Sequence, residues 1–363
     1  MQLPVKKLLE AGSKMIREYI PALLENHDLT PDQAEAAMID IMTGQATPSQ
    51  ISAFLIGLKK KGETVDEITA IARVMRTFSR TVCPKVDGYL LDTCGTGGDT
   101  AKTFNVSTTA AFVIAAAGVR VAKHGNRSFT SRCGSADVLE QLGVKLEMEP
   151  ALVEKAIEEI GIGFMFAPNF HPAMKNVASI RQEIGVRTVF NILGPLTNPA
   201  GPNAQLIGVY DSGLLEPMCV AAHNLGAKSV MTVHGLNGVD EISLTGKTVI
   251  VKHQNGKTFR EVILPEDLGL NETSSEMLAG GDSEQNARLT ARILSGHLGR
   301  DDPPVQIVAA NAAAGLVLCE AAEDMRTGVE LAFNAVENGK GLQILRQLIE
   351  LSGGNTERLE IMA

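Results

Sequence analysis

Residues 89–108 read YLLDTCGTGGDTAKTFNVST, and this stretch decides how the fold is interpreted. An apolar run gives way to a turn with three glycines, and the pattern predicts a helix that begins near Ser107. Glycine has no Cβ, so the backbone N–H groups of such a turn can closely approach a phosphate, and the helix start adds partial positive charge. The turn lacks the lysine of a P-loop and the spacing of a dinucleotide-binding turn. The stretch therefore predicts a βα unit that binds an anion, and the alternative is a tight turn without a ligand.

Short β-type runs alternate with helical patterns from this stretch onward. Such alternation predicts a mainly parallel sheet with helices on both faces. Residues 248–252 and 258–262 flank Asn255 and Gly256, a pair that favours a tight hairpin turn. From Ser283 onward the pattern is helical. The other predicted strands are residues 89–93, 119–123, 163–167, 205–210 and 229–233, and the predicted helices between them are residues 107–117, 135–142, 150–160, 172–184 and 213–225.

Residues 1–82 contain only helical patterns. Thr30, Thr47 and Thr64 each precede a Gln or Glu by three residues, an arrangement in which the two side chains cap the first turn of a helix reciprocally. We therefore expect an α/β protein with two domains. A small all-helical domain covers residues 1–82, and a larger domain over residues 83–363 contains a mainly parallel central sheet flanked by helices.

The composition of the 363-residue chain argues against several classes of protein. The 33 Lys and Arg residues against 42 Asp and Glu residues give a net charge of −9, and 4% of residues are aromatic, with no Trp. This balance disfavours a protein whose main partner is nucleic acid. Five scattered cysteines without a CxxC pair indicate neither a zinc site nor a disulfide framework. The sequence shows no signal peptide and no membrane-spanning stretch, so we expect a reduced, cytoplasmic protein.

Two further loops follow predicted strands, and the carboxyl ends of parallel strands are where open α/β sheets bind ligands. Residues 123–131 read KHGNRSFTS. There, Lys123 as a point charge and Arg127 as a planar fork suit a diphosphate, and the alternative is a solvated basic loop. Asp240 and Glu241 follow the strand over residues 229–233. Adjacent carboxylates suit Mg²⁺, which also takes phosphate oxygens from a substrate, and the alternative is an ordinary acidic turn.

A fourth segment contains Arg181 and, at residues 188–199, the run TVFNILGPLTNP. An arginine on a helix can bind a substrate carboxylate through two parallel hydrogen bonds, and the alternative is a surface ion pair with a nearby Glu. The Gly-Pro and Asn-Pro steps force turns, so we interpret this run as a rigid connector that positions other residues.

Together these segments resemble the anthranilate phosphoribosyltransferase family, whose fold is shared with pyrimidine nucleoside phosphorylases. The resemblance extends from about Thr30 to about Leu345. Its motifs are DTCGTGGD at 92–99, KHGNR at 123–127, GSADVLE at 134–140, RTVFNILGPLTNP at 187–199 and HGLNGVDE at 234–241. Two alternatives stay open, a pyrimidine nucleoside phosphorylase-like enzyme and a non-catalytic relative that binds nucleic acid.

The resemblance implies a homodimer that joins through the helical domain, to which roughly residues 181–199 also contribute. It implies an Mg²⁺-dependent step of tryptophan biosynthesis, in which phosphoribose moves from phosphoribosyl pyrophosphate (PRPP) to the amine of anthranilate without a covalent enzyme intermediate. The implied PRPP-binding residues are Gly95, Gly98, Asp99, Thr103, Asn105, Ser107, Thr108, Lys123, Asn126, Arg127, Ser128, Phe129, Thr130, Ser131 and Ser135. The implied anthranilate-binding residues are Gly95, His124, Asn126, Arg181 and Pro195. About two Mg²⁺ ions would be held by Ser107, Asp240 and Glu241.

Overall fold

The computed structural model describes residues 15–98, 103–128, 133–254 and 256–363. Thr30, Thr47 and Thr64 each accept the N–H of the residue three positions on and complete a reciprocal cap, which confirms the three predicted helix starts. Residues 1–14, predicted as part of the helical region, lie outside the described residues, as does Asn255 of the predicted hairpin turn. The amino-terminal helices are α1 (Ile20–Leu24), α2 (Pro31–Met42), α3 (Pro48–Lys61) and α4 (Val65–Thr77).

A seven-stranded sheet in the order β3-β2-β1-β4-β5-β6-β7 follows these helices. The first five strands in that order are parallel, and β6 and β7 are antiparallel to their neighbours. The predicted fold class and the predicted hairpin are therefore confirmed. The strands are β1 (Leu90–Gly95), β2 (Arg120–Gly125), β3 (Ile162–Phe166), β4 (Ala204–Gly208), β5 (Ser229–Gly235), β6 (Thr248–Gln254) and β7 (Lys257–Ile263).

Helices connect the parallel strands and form the carboxyl-terminal part of the chain. Among the described residues, none of these or the earlier helices has the length and apolar content needed to cross a membrane. The connecting helices are α5 (Val106–Ala116), α6 (Ser135–Gln141), α7 (Pro150–Lys155), α8 (Ala167–Phe170), α9 (Ala178–Ile184), α10 (Phe190–Leu193) and α11 (Leu215–Asn224). The carboxyl-terminal helices are α12 (Ser283–Leu294), α13 (Pro303–Leu318), α14 (Met325–Glu337), α15 (Lys340–Ser352) and α16 (Thr356–Met362).

The predicted helix over residues 172–184 is wrong in its continuity. A 3₁₀ turn over Pro172–Asn176 ends before α9 begins at Ala178. The Nδ2 atom of Asn176 donates hydrogen bonds to the carbonyls of Ile41 (3.3 Å) and Met42 (3.0 Å) at the end of α2. The last carbonyls of a helix lack the partners that a further turn would provide, although the carbonyl of Ile41 also accepts the N–H of Gly44 at 3.1 Å. Their tertiary bond to Asn176 holds the chain at the break, which local sequence pattern does not reveal.

Two apolar cores position the segment over residues 177–196. One core lies between the sheet and the helices α5 and α12 to α16. The other joins the amino-terminal helices to Val177, Ile180 and Phe190, and also reaches β4 and β5 through Ile207 and Val230. The segment that contains α9 and α10 therefore packs with the amino-terminal helices close to the sheet.

Candidate active site

A cavity of about 760 Å³ opens at the carboxyl ends of β1 and β2. The glycine turn, the loop after β2, the segment from α8 to α10 and the acidic pair all contribute to its lining. Asp99, Phe129, Thr130 and Ser131 lie outside the described residues. The remaining predicted site residues line this one cavity: Gly95, Gly98, Thr103, Asn105, Ser107, Thr108, Lys123, His124, Asn126, Arg127, Ser128, Ser135, Arg181, Pro195, Asp240 and Glu241.

The glycine turn after β1 is shaped by its contact with Asp240. Gly97 and Gly98 have φ angles of 68° and 80°, which side chains other than glycine rarely adopt. The N–H of Gly97 donates to Oδ2 of Asp240 at 2.9 Å. A Cβ added at Gly95 would lie 2.5 Å from the same carboxylate oxygen. The turn therefore needs glycine both for its backbone conformation and for the close approach of Asp240.

Asp240 and Glu241 lie beside the start of α5. The N–H of Ser107 donates to Oε1 of Glu241 at 3.1 Å, and Ser107, Asp240 and Glu241 all line the cavity. The described residues contain no cluster of three or more His, Cys, Asp or Glu side chains that would enclose a metal without a substrate. Two carboxylates and a hydroxyl match Mg²⁺, which prefers oxygen ligands and completes its shell with water and substrate phosphates. The residues present therefore fit Mg²⁺.

Lys123 is a cavity residue of β2, with 2% of its surface exposed. Its Nζ atom donates to the carbonyl of Thr93 at 2.6 Å. Burial lowers the pKa of Lys123, whereas the charges of Asp92, Cys94 and Glu241 oppose that shift. Burial also raises the pKa of Asp92, whose Oδ1 accepts the N–H of His124 at 3.3 Å. In this structure the Lys123 side chain therefore binds the main chain of β1, two residues before Gly95.

Arg127, predicted to bind a diphosphate, pairs here with two carboxylates of α6. Its guanidinium contacts Asp137 at 3.0 Å and Glu140 at 2.7 and 2.8 Å. Glu140 and Asp137 raise its pKa, because both stabilise the charged form. The N–H groups of Ser128 (3.1 Å) and Gly134 (2.9 Å) both donate to Oδ2 of Asp137. Asp137 thus holds both described ends of this loop. Asp137 lies three residues after Gly134, at the start of a helix, and this spacing is the sequence pattern that could have predicted its contact with the loop.

Two neutral imidazoles line the cavity near α8. The rings of His124 and His171 have centroids 5.1 Å apart, and both side chains are buried. Burial lowers the pKa of His124 to about 3 and that of His171 to about 4. Within the described part of the chain, the Nε2 atom of each ring has no hydrogen-bond partner. This wall of the cavity is therefore uncharged near neutral pH.

Arg181 and Pro195 also line the cavity. The guanidinium carbon of Arg181 lies 5.3 Å from the ring centroid of Phe190, and burial lowers its pKa. The carbonyl of Pro195 accepts Nε2 of Gln205, a buried residue of β4, at 2.8 Å. The turn around Pro195 is thus anchored to the sheet, which agrees with its interpretation as a rigid connector.

Arg187 is a cavity residue that the sequence analysis did not single out. Its Nη2 atom donates to the carbonyl of Gly98 at 2.9 Å. Its guanidinium carbon lies 4.1 Å from the ring centroid of Tyr210. The RTVFN motif already contained this residue, but the partner carbonyl lies 89 positions away along the chain. Met174, Lys175, Gln182 and Asn191 also line the cavity and were not predicted as site residues.

Comparison with known proteins identifies the family. Residues 17–79 match the helical bundle domain of a glycosyl transferase family, and residues 87–342 match the a/b domain of that family. The anthranilate phosphoribosyltransferase of Symbiobacterium thermophilum is 50% identical over 328 residues, which cover 90% of this chain and 95% of the relative. The chain belongs to the anthranilate phosphoribosyltransferase family.

Solved structures of the family share this architecture. The anthranilate phosphoribosyltransferase of Thermus thermophilus has a TM-score of 0.86 at 41% identity, and the match covers 92% of this chain and 99% of that one. The Saccharomyces cerevisiae enzyme in complex with PRPP and Mg has a TM-score of 0.86 at 29% identity, and the match covers 93% of this chain and 98% of that one. The predicted family, fold class and transferase activity are therefore confirmed, and neither alternative function is favoured.

Proposed function

We propose that this chain transfers phosphoribose from PRPP to the amine of anthranilate, giving N-(5-phosphoribosyl)anthranilate and pyrophosphate in tryptophan biosynthesis. The observation that carries the proposal is one cavity that combines a glycine turn at a strand end, an acidic pair and a half-buried arginine. The Saccharomyces cerevisiae relatives in complex with PRPP and Mg, and with 4-fluoroanthranilate, support both substrates.

The glycine turn and the start of α5 form the donor end of the proposed site. The start of α5 carries partial positive charge, which favours an anion, and Lys123 lies buried beside β1 in the lining of the same cavity. Asp240, Glu241 and Ser107 would hold Mg²⁺, with about two ions as in our sequence-based expectation. When bound, Mg²⁺ neutralises charge on the departing pyrophosphate. The proposal also includes the other residues that the resemblance assigns to PRPP binding, among them Asp99, Phe129, Thr130 and Ser131.

Arg181 defines the acceptor end. Its guanidinium suits the carboxylate of anthranilate, and the neutral rings of His124 and His171 suit an aromatic body. The aryl amine is already neutral near pH 7, so the site needs to position it rather than deprotonate it. We therefore propose a dissociative displacement with inversion at C1 of the ribose, with no covalent nucleophile from the protein.

The loss of anthranilate fluorescence, followed with PRPP and Mg²⁺ and repeated with EDTA, tests the reaction. Arg181→Ala should raise KM for anthranilate about tenfold to a hundredfold, because a charged hydrogen-bonded pair is lost. Arg181→Lys keeps the charge, so its KM for anthranilate should lie between those of the wild type and Arg181→Ala. Arg288→Ala is the matched control, because Arg288 forms an exposed i,i+4 pair with Glu284.

An unchanged KM for anthranilate in Arg181→Ala would contradict the carboxylate contact. Absence of anthranilate loss in the wild-type protein would contradict the acceptor. In that case release of a base from a pyrimidine nucleoside with inorganic phosphate would identify the phosphorylase alternative.

We also propose the predicted domain division, with residues 1–82 and roughly 181–199 in the helical domain and residues 83–363 in the α/β domain. The family models, which divide between residues 79 and 87, support the boundary after residue 82, and the core that Phe190 and Leu193 share with the amino-terminal helices supports the place of residues 181–199. We further propose a cytoplasmic homodimer that joins through the helical domain. Leu24 and Ile56, which are 53% and 42% exposed on α1 and α3, support an apolar contact there. Light scattering of the purified protein tests the dimer.

A further inference from the structure

Arg187 touches both halves of the proposed active site. It belongs to the segment between α9 and α10, with Arg181 six residues before it at the acceptor end. Its side chain nevertheless reaches the donor end, where Nη2 donates to the carbonyl of Gly98 at 2.9 Å. The face of Tyr210, just after β4, lies 4.1 Å from the guanidinium carbon. The guanidinium is thus held between an aromatic face and a carbonyl of the glycine turn.

The other contacts of the turn come from the sheet side. The N–H of Thr96 donates to the carbonyl of Gly208 at 2.9 Å, and Oγ1 of Thr96 accepts the N–H of Tyr210 at 3.1 Å. The N–H of Gly97 is bound by Asp240. These bonds fix the first part of the turn, so the bond from Arg187 acts on its far end at Gly98.

Gly98 accommodates this contact closely. A Cβ at Gly98 would lie 2.8 Å from the guanidinium carbon of Arg187, well inside van der Waals contact, and the φ of Gly98 is 80°. Glycine at this position therefore serves the approach of Arg187 as well as the turn conformation. The two residues are 89 positions apart, so the contact is a tertiary link between two segments that are distant in sequence.

We propose that Arg187 is a positioning residue that holds the PRPP-binding turn against the acceptor-binding segment. This inference rests on the proposed function for the names of the two substrates. Transfer requires the two reacting atoms to lie about 3–3.5 Å apart, so the turn and the segment must keep a defined separation. Arg187 is suited to this because its planar fork donates to Gly98 while its face stacks on Tyr210.

The proposal predicts an effect on the donor side from a residue of the acceptor segment. Arg187→Ala should raise KM for PRPP about tenfold and lower kcat, because a charged hydrogen bond is lost, while KM for anthranilate changes less than about twofold. Arg181→Ala should show the opposite pattern. Arg187→Lys keeps the charge and one donor, so it should recover part of the loss. A KM change confined to anthranilate, or no change in either KM, would overturn the proposal.

A double-mutant cycle separates positioning from a general loss of stability. Gly98→Ala forces the new methyl group against the guanidinium, so its cost in kcat/KM should be smaller in the Arg187→Ala background than in the wild type. Additive effects would overturn the direct contact. Thermal unfolding of each variant shows whether it folds, and Arg288→Ala, at an exposed pair with Glu284, serves as the variant expected to retain the wild-type KM for PRPP.

Calorimetric titration of PRPP with Mg²⁺, without an acceptor, distinguishes failure of this proposal from failure of the proposed function. The wild type should bind PRPP, and Arg187→Ala should bind it about tenfold more weakly. If the wild type consumes anthranilate and Arg187→Ala binds PRPP as tightly as the wild type does, the role of Arg187 is refuted and the proposed function stays intact. If the wild type does not consume anthranilate but Arg187→Ala still binds PRPP more weakly than the wild type, the role of Arg187 is supported and anthranilate is refuted as the acceptor.

Discussion

Gly208, the last residue of β4, controls where the acidic pair lies. A Cβ on this residue would come within 2.6 Å of the carbonyl carbon of Asp240. Carbon atoms pack at about 3.5–4.0 Å, and the carbonyl oxygen of Asp240 lies closer still, so the main chain at Asp240 must retreat by more than about 1 Å in Gly208→Ala. The obstacle is backbone rather than the end of a flexible side chain. The retreat therefore moves the Asp240 carboxylate away from the N–H of Gly97.

A misplacement of about 1 Å in an active site can lower the rate about a hundredfold, or about 2.7 kcal/mol of transition-state stabilisation. We expect Gly208→Ala to lower kcat/KM by about that factor. The Mg²⁺ concentration needed for half-maximal activity should rise, because Asp240 and Glu241 no longer meet the ion together. Overpacking should also lower the free energy of unfolding by about 1–3 kcal/mol.

The assay is the loss of anthranilate fluorescence across a Mg²⁺ titration, with thermal unfolding measured on the same samples. Gly299→Ala is the matched control, because a Cβ there would lie 3.8 Å from its nearest neighbour, Oδ2 of Asp302. The control should keep the wild-type activity and Mg²⁺ dependence. Wild-type Mg²⁺ dependence in folded Gly208→Ala would refute the reasoning, because the acidic pair would then not depend on this contact.

Two further predictions concern stability. Burial lowers the pKa of His171 from 6.5 to about 4, so its neutral form stabilises the fold above pH 6.5 and this stability is lost as the pH falls towards 4. At pH 5 this loss amounts to about 2 kcal/mol of the free energy of unfolding. Urea unfolding at pH 7 and pH 5 should therefore show a smaller pH effect on stability in His171→Gln than in the wild type, by that amount. An equal pH effect in the two proteins would contradict the burial of His171 in its neutral form. Glu67→Ala should lower the free energy of unfolding by about 3–5 kcal/mol, because the buried carboxylate binds Lys61 at 2.8 Å and the N–H of Leu29 at 2.9 Å. Chemical denaturation of Glu67→Ala beside the exposed control Asp66→Ala checks this, and equal stabilities would contradict it.

Local sequence predicted well the features that depend on neighbouring residues. Thr30, Thr47 and Thr64 cap helices because their partners lie three positions away on the same turn. The glycine turn after β1 was predicted from its three neighbouring glycines, and two of them, Gly97 and Gly98, adopt positive φ. The strand–helix alternation predicted the parallel part of the sheet because buried strands and amphipathic helices have different apolar periods.

Features that depend on distant partners were not predictable in this way. The break before Ala178 exists because Asn176 binds the end of α2. Arg127 pairs with Asp137 and Glu140, a contact that its sequence context did not predict, and its role toward a diphosphate stays a prediction. The hydrogen bond from Arg187 to the carbonyl of Gly98 was also not predicted, because the residues around an arginine do not indicate which distant group it binds.

The sequence by itself therefore determined the elements, the family and the chemical types of the cavity residues, because these depend on short-range spacing and on motifs. Only the tertiary structure decided which of those groups meet. It placed Asp240 against Gly97 and Lys123 beneath Thr93. Such contacts arise when the sheet brings the ends of separate strands to one edge, and their distances depend on packing that no local pattern records.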